Sequence, residues 1–339
     1  MTMRIGIVGG GAMGRRYLDA YQFDPRAEIV SVCDLDGDRA HRLAGEYGVN
    51  SSTSVEEMLS GGRFDAVVVA TPDFSHLDPV LACLGAGVHV LCEKPLATTV
   101  SDAMEMVVAA RASPGQLMVN FGNRHRPAAR RARALVREGR IGAVRYAHLC
   151  LNEKSAKTAT LAWSEQTSEL WFLISHLADF VQWFLDDHVR SVYASRGHDA
   201  SGASTTVAIL NFASAATVTL ESSWNMPAHL QRDVDLRLAV HGADGVIELD
   251  MGDQGLVVSD GRRAATVQWD STAGGSAEDW WDRSCRYFTE RISGRMPVEP
   301  DAVAGLENVL VLSALQRSLD SGSVVTVAEH WPEAAALLY

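Results

Sequence analysis

Apolar runs of four to seven residues alternate with stretches of helical spacing through the first 120 positions of the chain. Apolar positions predict strands ending at Val8 and over Glu28 to Cys33, Phe64 to Ala70, Val88 to Cys92 and Leu117 to Phe121, and helices over Ala12 to Gln22, Asp38 to Tyr47, Ser54 to Leu59, Ser75 to Ala86 and Val100 to Arg111. The run Ala66-Val67-Val68-Val69-Ala70 is apolar on both faces, as a strand must be when helices cover both sides of a parallel sheet. Strict alternation of strand and helix is the signature of a doubly wound α/β fold.

Beyond about residue 124 the pattern changes. A helix over Pro127 to Glu138 and an apolar stretch from Val144 to Leu151 lead into an irregular polar segment, Asn152 to Ser168. Leu170 to Leu185 is apolar nearly all round and reads as a buried helix. Short alternating runs follow: Val189 to Arg196, Thr205 to Phe212, Ala216 to Trp224, Val234 to His241, Val246 to Asp250 and Leu256 to Val258. Helical spacing returns over Trp280 to Ile292 and Ala302 to Leu319, and Val324 to Val327 is a last strand. The pattern predicts a Rossmann-type parallel sheet over 1–123, followed by an α+β domain over 124–339 whose large open sheet is mostly antiparallel with helices on one face.

At 339 residues and 47% hydrophobic the chain can bury two cores. A net charge of −12 argues against a nucleic-acid partner, because phosphate binding needs a basic face. Five cysteines without C-x-x-C spacing read as reduced, mostly buried thiols. No apolar run is long enough for a membrane span or follows a basic leader, which points to a soluble cytoplasmic protein.

The first strand ends in Gly9-x-Gly11-x-x-Gly14. Glycine at these places permits a tight turn, close approach of a phosphate and close packing of helix on strand, and the helix opening at Ala12 and Met13 offers unpaired N–H groups to a pyrophosphate. Asp34 ends the second strand, where a carboxylate accepts hydrogen bonds from a ribose and repels a 2′-phosphate; no arginine follows it directly. Together these predict a dinucleotide site selective for NAD over NADP. The alternative is that Asp34 and Asp36 only cap the next helix. Thr71 and Lys94 also fall at carboxyl ends of strands, where ligands of this architecture bind.

Lys94 follows a buried strand and precedes a proline that restricts its backbone, so its ammonium suits a substrate oxygen that gains negative charge; the alternative is a solvated loop lysine. In the apolar segment 172–183 the polar residues Ser175, His176, Asp179 and Gln182 recur at helical spacing as one stripe. Such a stripe is costly unless it lines a cavity or is satisfied in the core, for instance by Asp179 at i+3 from His176.

The glycine loop, Ala70-Thr71-Pro72, Gly87-Val88-His89-Val90-Leu91-Cys92-Glu93-Lys94-Pro95-Leu96-Ala97 and His176-x-x-Asp179 resemble, in order and spacing, the motifs of the glucose-fructose oxidoreductase and inositol dehydrogenase (Gfo/Idh/MocA) family. The resemblance implies an NAD-dependent oxidoreductase acting on a sugar, polyol or inositol-like alcohol. It assigns Lys94 to hold the reacting oxygen and His176 to act as acid/base, with Asp179 at a position that often contacts substrate; Trp163 and Arg124 are candidate substrate contacts besides. Gly9, Gly11, Ala12, Met13, Gly14, Asp34, Thr71, Pro72, His76, Glu93 and Lys94 would form the cofactor site. A homodimer or homotetramer built on the exposed sheet face is also implied. One departure stands out: many sugar and inositol dehydrogenases of the family carry Asp or Asn four residues before the histidine, where this chain has Phe172. Ser175, Asp179, Lys94 or a carboxylate of the polar segment, Glu153, Glu165 or Glu169, would then have to support the imidazole. A redox-assisted lyase or hydrolase and an NAD(H)-binding regulator are the competing readings. Asn225, His229, Trp171 and Arg232 are further candidate pocket residues.

Overall fold

The computed structural model describes residues 2–155, 163–198, 203–227, 229–230, 233–251, 255–260, 263–268 and 280–338. The chain divides into two compact units, Met1–Gly122 with Glu278–Val309 and Ala336–Tyr339, and Asn123–Ala277 with Leu310–Ala335. A single cut at residue 123 therefore misses the return of the chain to the first unit. Trp281, Cys285, Phe288 and Ile292 on α8 (Trp280–Ser293) join the core formed by Ile5, Ile7, Tyr17 and Val68. An apolar helical face far away in sequence completes a core built from the strands and from α1 and α2, which local periodicity cannot show.

In the first unit, strands β1 (Met3–Val8), β2 (Ala27–Cys33), β3 (Asn50–Ser52), β4 (Ala66–Val69), β5 (His89–Cys92) and β6 (Leu117–Val119) form one sheet in the order β3-β2-β1-β4-β5-β6, parallel throughout. The crossovers are α1 (Ala12–Gln22), α2 (Gly37–Tyr47) with α3 (Val55–Ser60), α4 (Leu77–Gly85) and α5 (Val100–Ala112). Every residue of β4 is fully buried, as a strand covered on both faces requires. Local signals bound the helices: Ser54 and Thr99 cap the amino ends of α3 and α5 through their side chains, and α2 stops at Gly48 in the left-handed region, at φ 69°. The three-residue edge strand β3 is too short to read from alternation.

The second unit carries α6 (Pro127–Arg137), β7 (Val144–Lys154), α7 (Ser175–Leu185), β8 (Val189–His198), β9 (Ser204–Phe212), β10 (Thr217–Met226), β11 (Val234–Gly242), β12 (Gly245–Asp250), β13 (Gly255–Asp260) and β14 (Arg263–Gln268). α9 (Ala302–Ser321) begins among the residues of the first unit and ends among those of the second, before β15 (Val325–Thr326), α10 (Val327–His330) and α11 (Pro332–Leu338). The sheet order is β14-β13-β12-β11-β7-β10-β9-β8-β15; β7 and β10 pair parallel and all other neighbours antiparallel. The expected large, mostly antiparallel sheet is thus a mixed one. β7 continues three residues past Leu151, because Asn152 and Glu153 keep the ladder with Asp235 and Val234 although their side chains are polar. All five cysteines are buried and free, and burial pushes the Cys83 thiol up to about 12. No helix among the described residues is long and apolar enough to cross a membrane.

Candidate functional site

The glycine loop is shaped by contacts that admit no side chain at two of its positions. Gly9 has φ 95°, and a Cβ there would lie 2.6 Å from the Ala70 carbonyl oxygen; a Cβ on Gly14 would lie 1.8 Å from the Gly9 carbonyl oxygen. Gly11 faces open space instead, at the amino end of α1, whose first turn no side chain caps. A pyrophosphate therefore meets an unobstructed, uncapped helix terminus at Gly11, Ala12 and Met13, so these residues fit the dinucleotide that the fold implies.

Asp34 lies at the end of the neighbouring strand and is 8% exposed. Its Oδ2 accepts the Gly10 N–H at 2.7 Å and its Oδ1 the Asp36 N–H at 2.8 Å, which fixes the carboxylate against the glycine loop. Helix capping belongs to Asp36, whose side chain accepts the Arg39 N–H. The sequence reading overlooked Arg39: one turn into α2, its guanidinium lies 3.2 Å from Asp34 and 3.1 Å from Asp36. The signal was present, since the third residue of a helix that starts beside the strand end points back toward it.

At the next two strand ends the structure separates surface from support. Thr71 and Pro72 are partly exposed. His76, expected to touch the cofactor, is 1% exposed, with Nδ1 2.9 Å from the Pro95 carbonyl oxygen and Nε2 3.1 Å from that of Thr71. It lies beneath the loops, because both ring nitrogens are occupied by backbone. Glu93 is likewise turned inward: its Oε1 accepts from the Tyr17 hydroxyl at 2.5 Å and from the Asn120 amide at 3.2 Å, and Asn120 in turn accepts from Ser284 at 2.5 Å. Burial, with the Glu93 charge, raises the Tyr17 phenol well above its ordinary range, so it remains a donor. The other carboxylate oxygen accepts the Lys94 N–H at 3.2 Å. Lys94 itself is 9% exposed and precedes a cis peptide bond to Pro95.

The second unit resolves the polar stripe residue by residue. Ser175 and Gln182 donate to carbonyls of their own helical stretch, Phe172 and Ala178. Asp179, buried, pairs with Arg124 through both carboxylate oxygens, Nε to Oδ2 at 2.9 Å. The two residues expected to contact substrate are thus paired with each other. His176 is the partly exposed member of the stripe.

The turn before α7 is a π-helix, Leu170–Ile174, a form with five-residue hydrogen-bond spacing that is rare and concentrated at functional sites. Phe172 on this turn packs between Trp163 and Trp224, with ring centroids 5.9 and 5.7 Å away. Trp224 was not anticipated. Of the carboxylates offered as support for His176, Glu169 is buried and bonded to Arg196, Ser204 and Thr206, and Glu165 is exposed. Glu153 is buried at the end of β7, the strand that packs against both the π-turn and α7. Asn225 was offered as a pocket residue. It alternates with Trp224 along β10, bonds to Ser223 and Thr205, and helps line a cavity of about 750 Å³ with Asn152, Glu221 and Arg237 on the opposite face of the sheet. Trp171 is partly exposed and His229 exposed. Arg232 and residues 156–162 of the polar segment lie outside the described residues.

The profile of the oxidoreductase family with an NAD-binding Rossmann fold matches residues 3–121, and that of the GFO/IDH/MocA C-terminal domain matches residues 129–248. The chain is 30% identical to inositol 2-dehydrogenase 3 of Saccharopolyspora erythraea over 97% of its own length and 96% of that protein. It is 29% identical to 2,7-anhydro-N-acetylneuraminate hydratase of Escherichia coli, over 73% of this chain and 67% of the other. Among solved structures, levoglucosan dehydrogenase in complex with NADH and levoglucosan shares the fold, with a TM-score of 0.86 at 22% identity over 96% of this chain and all of that one. With both domains matched and a full-length relative at this identity, the chain belongs to the Gfo/Idh/MocA family of oxidoreductases.

Proposed function

We propose that this protein is an NAD-preferring dehydrogenase of a cyclic polyol or sugar, oxidising a secondary alcohol to a ketone or running the reverse reduction. The observation that carries the reading is the row of strand ends in the parallel sheet. A fixed carboxylate, an open glycine turn, Thr71 with Pro72 and a lysine whose backbone is tethered follow one another on the adjacent strands β2, β1, β4 and β5. Bound NAD supplies the hydride acceptor. Gly11, Ala12 and Met13 hold the pyrophosphate, and Asp34 accepts hydrogen bonds from the ribose. The Lys94 ammonium holds the substrate oxygen and offsets its charge as the hydroxyl proton leaves for His176. Imidazole as a residue type is suited to exchanging a proton near neutrality, and an ammonium to holding charge.

Phe172 between two tryptophans supports a substrate with an apolar ring face at that point. This favours an anhydro-sugar or inositol face over a densely hydroxylated edge. The outward sheet face, which leaves Tyr146, Tyr193, Val207 and Ile209 more than a third exposed, supports a homodimer or homotetramer.

The 29% identity to an anhydro-sugar hydratase favours a second reading, in which NAD is reduced and reoxidised within one turnover of an elimination or hydration. An absorbance screen at 340 nm of the protein with NAD against inositols, pyranoses and anhydro-sugars separates the two. The dehydrogenase reading requires NADH to accumulate in proportion to ketone; product formation without NADH gives the second reading, and absence of both in a protein that binds NAD gives a regulator.

A further inference from the structure

Ser284 has no exposed surface and lies on the side of α8 that also buries Trp281, Cys285 and Phe288 in the core of the first unit. Alanine would fill that place without burying a hydroxyl, so packing alone does not select the serine. Its Oγ donates to Asn120 Oδ1 at 2.5 Å, and from there the donors run in one direction. The Asn120 amide nitrogen donates to the Tyr17 hydroxyl at 2.5 Å, and that hydroxyl donates to Glu93 Oε1 at 2.5 Å. The carboxylate sets the direction, because it can only accept. Tyr17 must therefore point its single hydrogen at Glu93 and its lone pairs at the Asn120 nitrogen, which leaves the Asn120 oxygen facing Ser284. Asn120 is also fastened through its backbone, whose N–H donates to the Cys92 carbonyl at 2.7 Å. The far oxygen of Glu93 accepts the Lys94 N–H at 3.2 Å. Buried polar side chains from α1, from the exits of β5 and β6 and from α8 thus converge on the backbone of Lys94.

We propose that Tyr17, Asn120 and Ser284 are positioning residues for Lys94: their hydrogen-bond chain clamps the Glu93 carboxylate, which holds the Lys94 backbone at the exit of β5 and so sets its ammonium for the substrate oxygen. The inference rests on the reading of Lys94 given above. It accounts for a carboxylate only 6% exposed, standing where burial of a charge is costly. A chain of donors that ends on a fixed anion admits one arrangement of its hydrogens, and each bond polarises the next, so the backbone beside Lys94 is held in one place. It also gives α8 a part in the site, although Ser284 stands 164 residues beyond Asn120.

Ser284→Ala removes the first donor of the chain and Tyr17→Phe the last. Thr289→Val is the control: Thr289 is equally buried on α8, but its hydroxyl faces Asp24 and carbonyls of its own helix. Four measurements apply to the whole protein: melting temperature, NAD affinity by calorimetry, hydrogen exchange in peptides spanning 92–98, and kcat with KM on a substrate found at 340 nm. Ser284→Ala and Tyr17→Phe should each quicken exchange at 92–98 and lower kcat about fivefold, the worth of one hydrogen bond, with KM and NAD affinity within about twofold of wild type. Thr289→Val should lower the melting temperature and leave exchange at 92–98 and kcat as they were. Because Ser284 and Tyr17 act in series on one carboxylate, the double variant should lose less than the product of the two single losses. If exchange at 92–98 and kcat follow melting temperature across all the variants, Thr289→Val included, the chain is packing and the proposal is overturned. Exchange at 92–98 unchanged by Ser284→Ala and Tyr17→Phe overturns it as well. Lys94→Ala in the same series keeps the two readings distinct. Full turnover by that variant removes Lys94 from the mechanism and the catalytic part of this proposal with it, whereas a dead Lys94→Ala beside fully active Ser284→Ala and Tyr17→Phe overturns the positioning proposal alone.

Discussion

At the scale of single residues, Asp34 and Arg124 show how differently two charged groups can be used. The Asp34 carboxylate is fixed by two backbone N–H groups and by Arg39; on the proposed NAD-preferring reading it would repel a 2′-phosphate and hold back the Arg39 guanidinium that would otherwise welcome one. Asp34→Ser should weaken NAD roughly tenfold or more, the worth of a charged hydrogen bond, and strengthen NADP as Arg39 is released. Calorimetric titration with both dinucleotides checks this, and an unchanged preference would remove Asp34 from cofactor selection. Arg124 and Asp179 form a nearly buried pair, with side chains 15% and 2% exposed. Arg124→Ala should cost about 3–5 kcal/mol by leaving the carboxylate without its guanidinium, and Arg124→Met with Asp179→Leu should recover most of it. Urea denaturation of the three proteins measures both effects. A double variant as unstable as the single one would show that the pair does more than neutralise itself.

At the scale of elements, the strands and helices of the first 120 residues, β3 excepted, were legible because most have a strong period and some a local boundary signal, such as Gly48 after α2 or Ser54 before α3. The π-turn at Leu170–Ile174 was not, because apolar residues all round carry no period from which a change of hydrogen-bond spacing could be read. His125, in the short 3₁₀ turn before α6, carries a consequence for stability. Burial, then Arg130 and Arg124, press its pKa down to about 3 from the ordinary 6.5. The unfolded chain therefore binds the proton that the folded chain refuses between these values. Stability should be level above pH 6.5 and fall below it, by roughly 2 kcal/mol at pH 5 from this group. The difference between wild type and His125→Asn in urea midpoints at pH 7 and pH 5 isolates the contribution. Parallel pH slopes for the two proteins would show that the histidine already titrates normally in the fold.

At the scale of the whole molecule, the sequence showed where the cofactor chemistry is set out but not what backs it. Gly9, Gly11, Gly14, Asp34, Thr71 and Lys94 could be placed because each stands at the end of an apolar run. Their supports could not: Glu93 is tied to Tyr17 and Asn120, and Asn120 in turn to Ser284 164 residues further on, while His76 faces carbonyls 5 and 19 residues away in opposite directions. The same distance effect hid the return of α8 to the first core and the commitment of Glu169 to Arg196 and Thr206. Phe172, read from the chain as a missing carboxylate and a bulky apolar group that could reshape a sugar pocket, is in the fold packed between Trp163 and Trp224, the observation behind the proposed apolar substrate face.

The central claim is that Lys94 and His176 carry out the chemistry on a cofactor held elsewhere. Turnover of Lys94→Ala and His176→Ala on a substrate from the 340 nm screen, with NAD affinity measured on the same samples, tests it most directly. The account predicts a loss of about 100-fold or more in kcat for each variant with NAD binding unchanged; near-normal turnover in either, or a loss matched by failure to bind NAD, would contradict it.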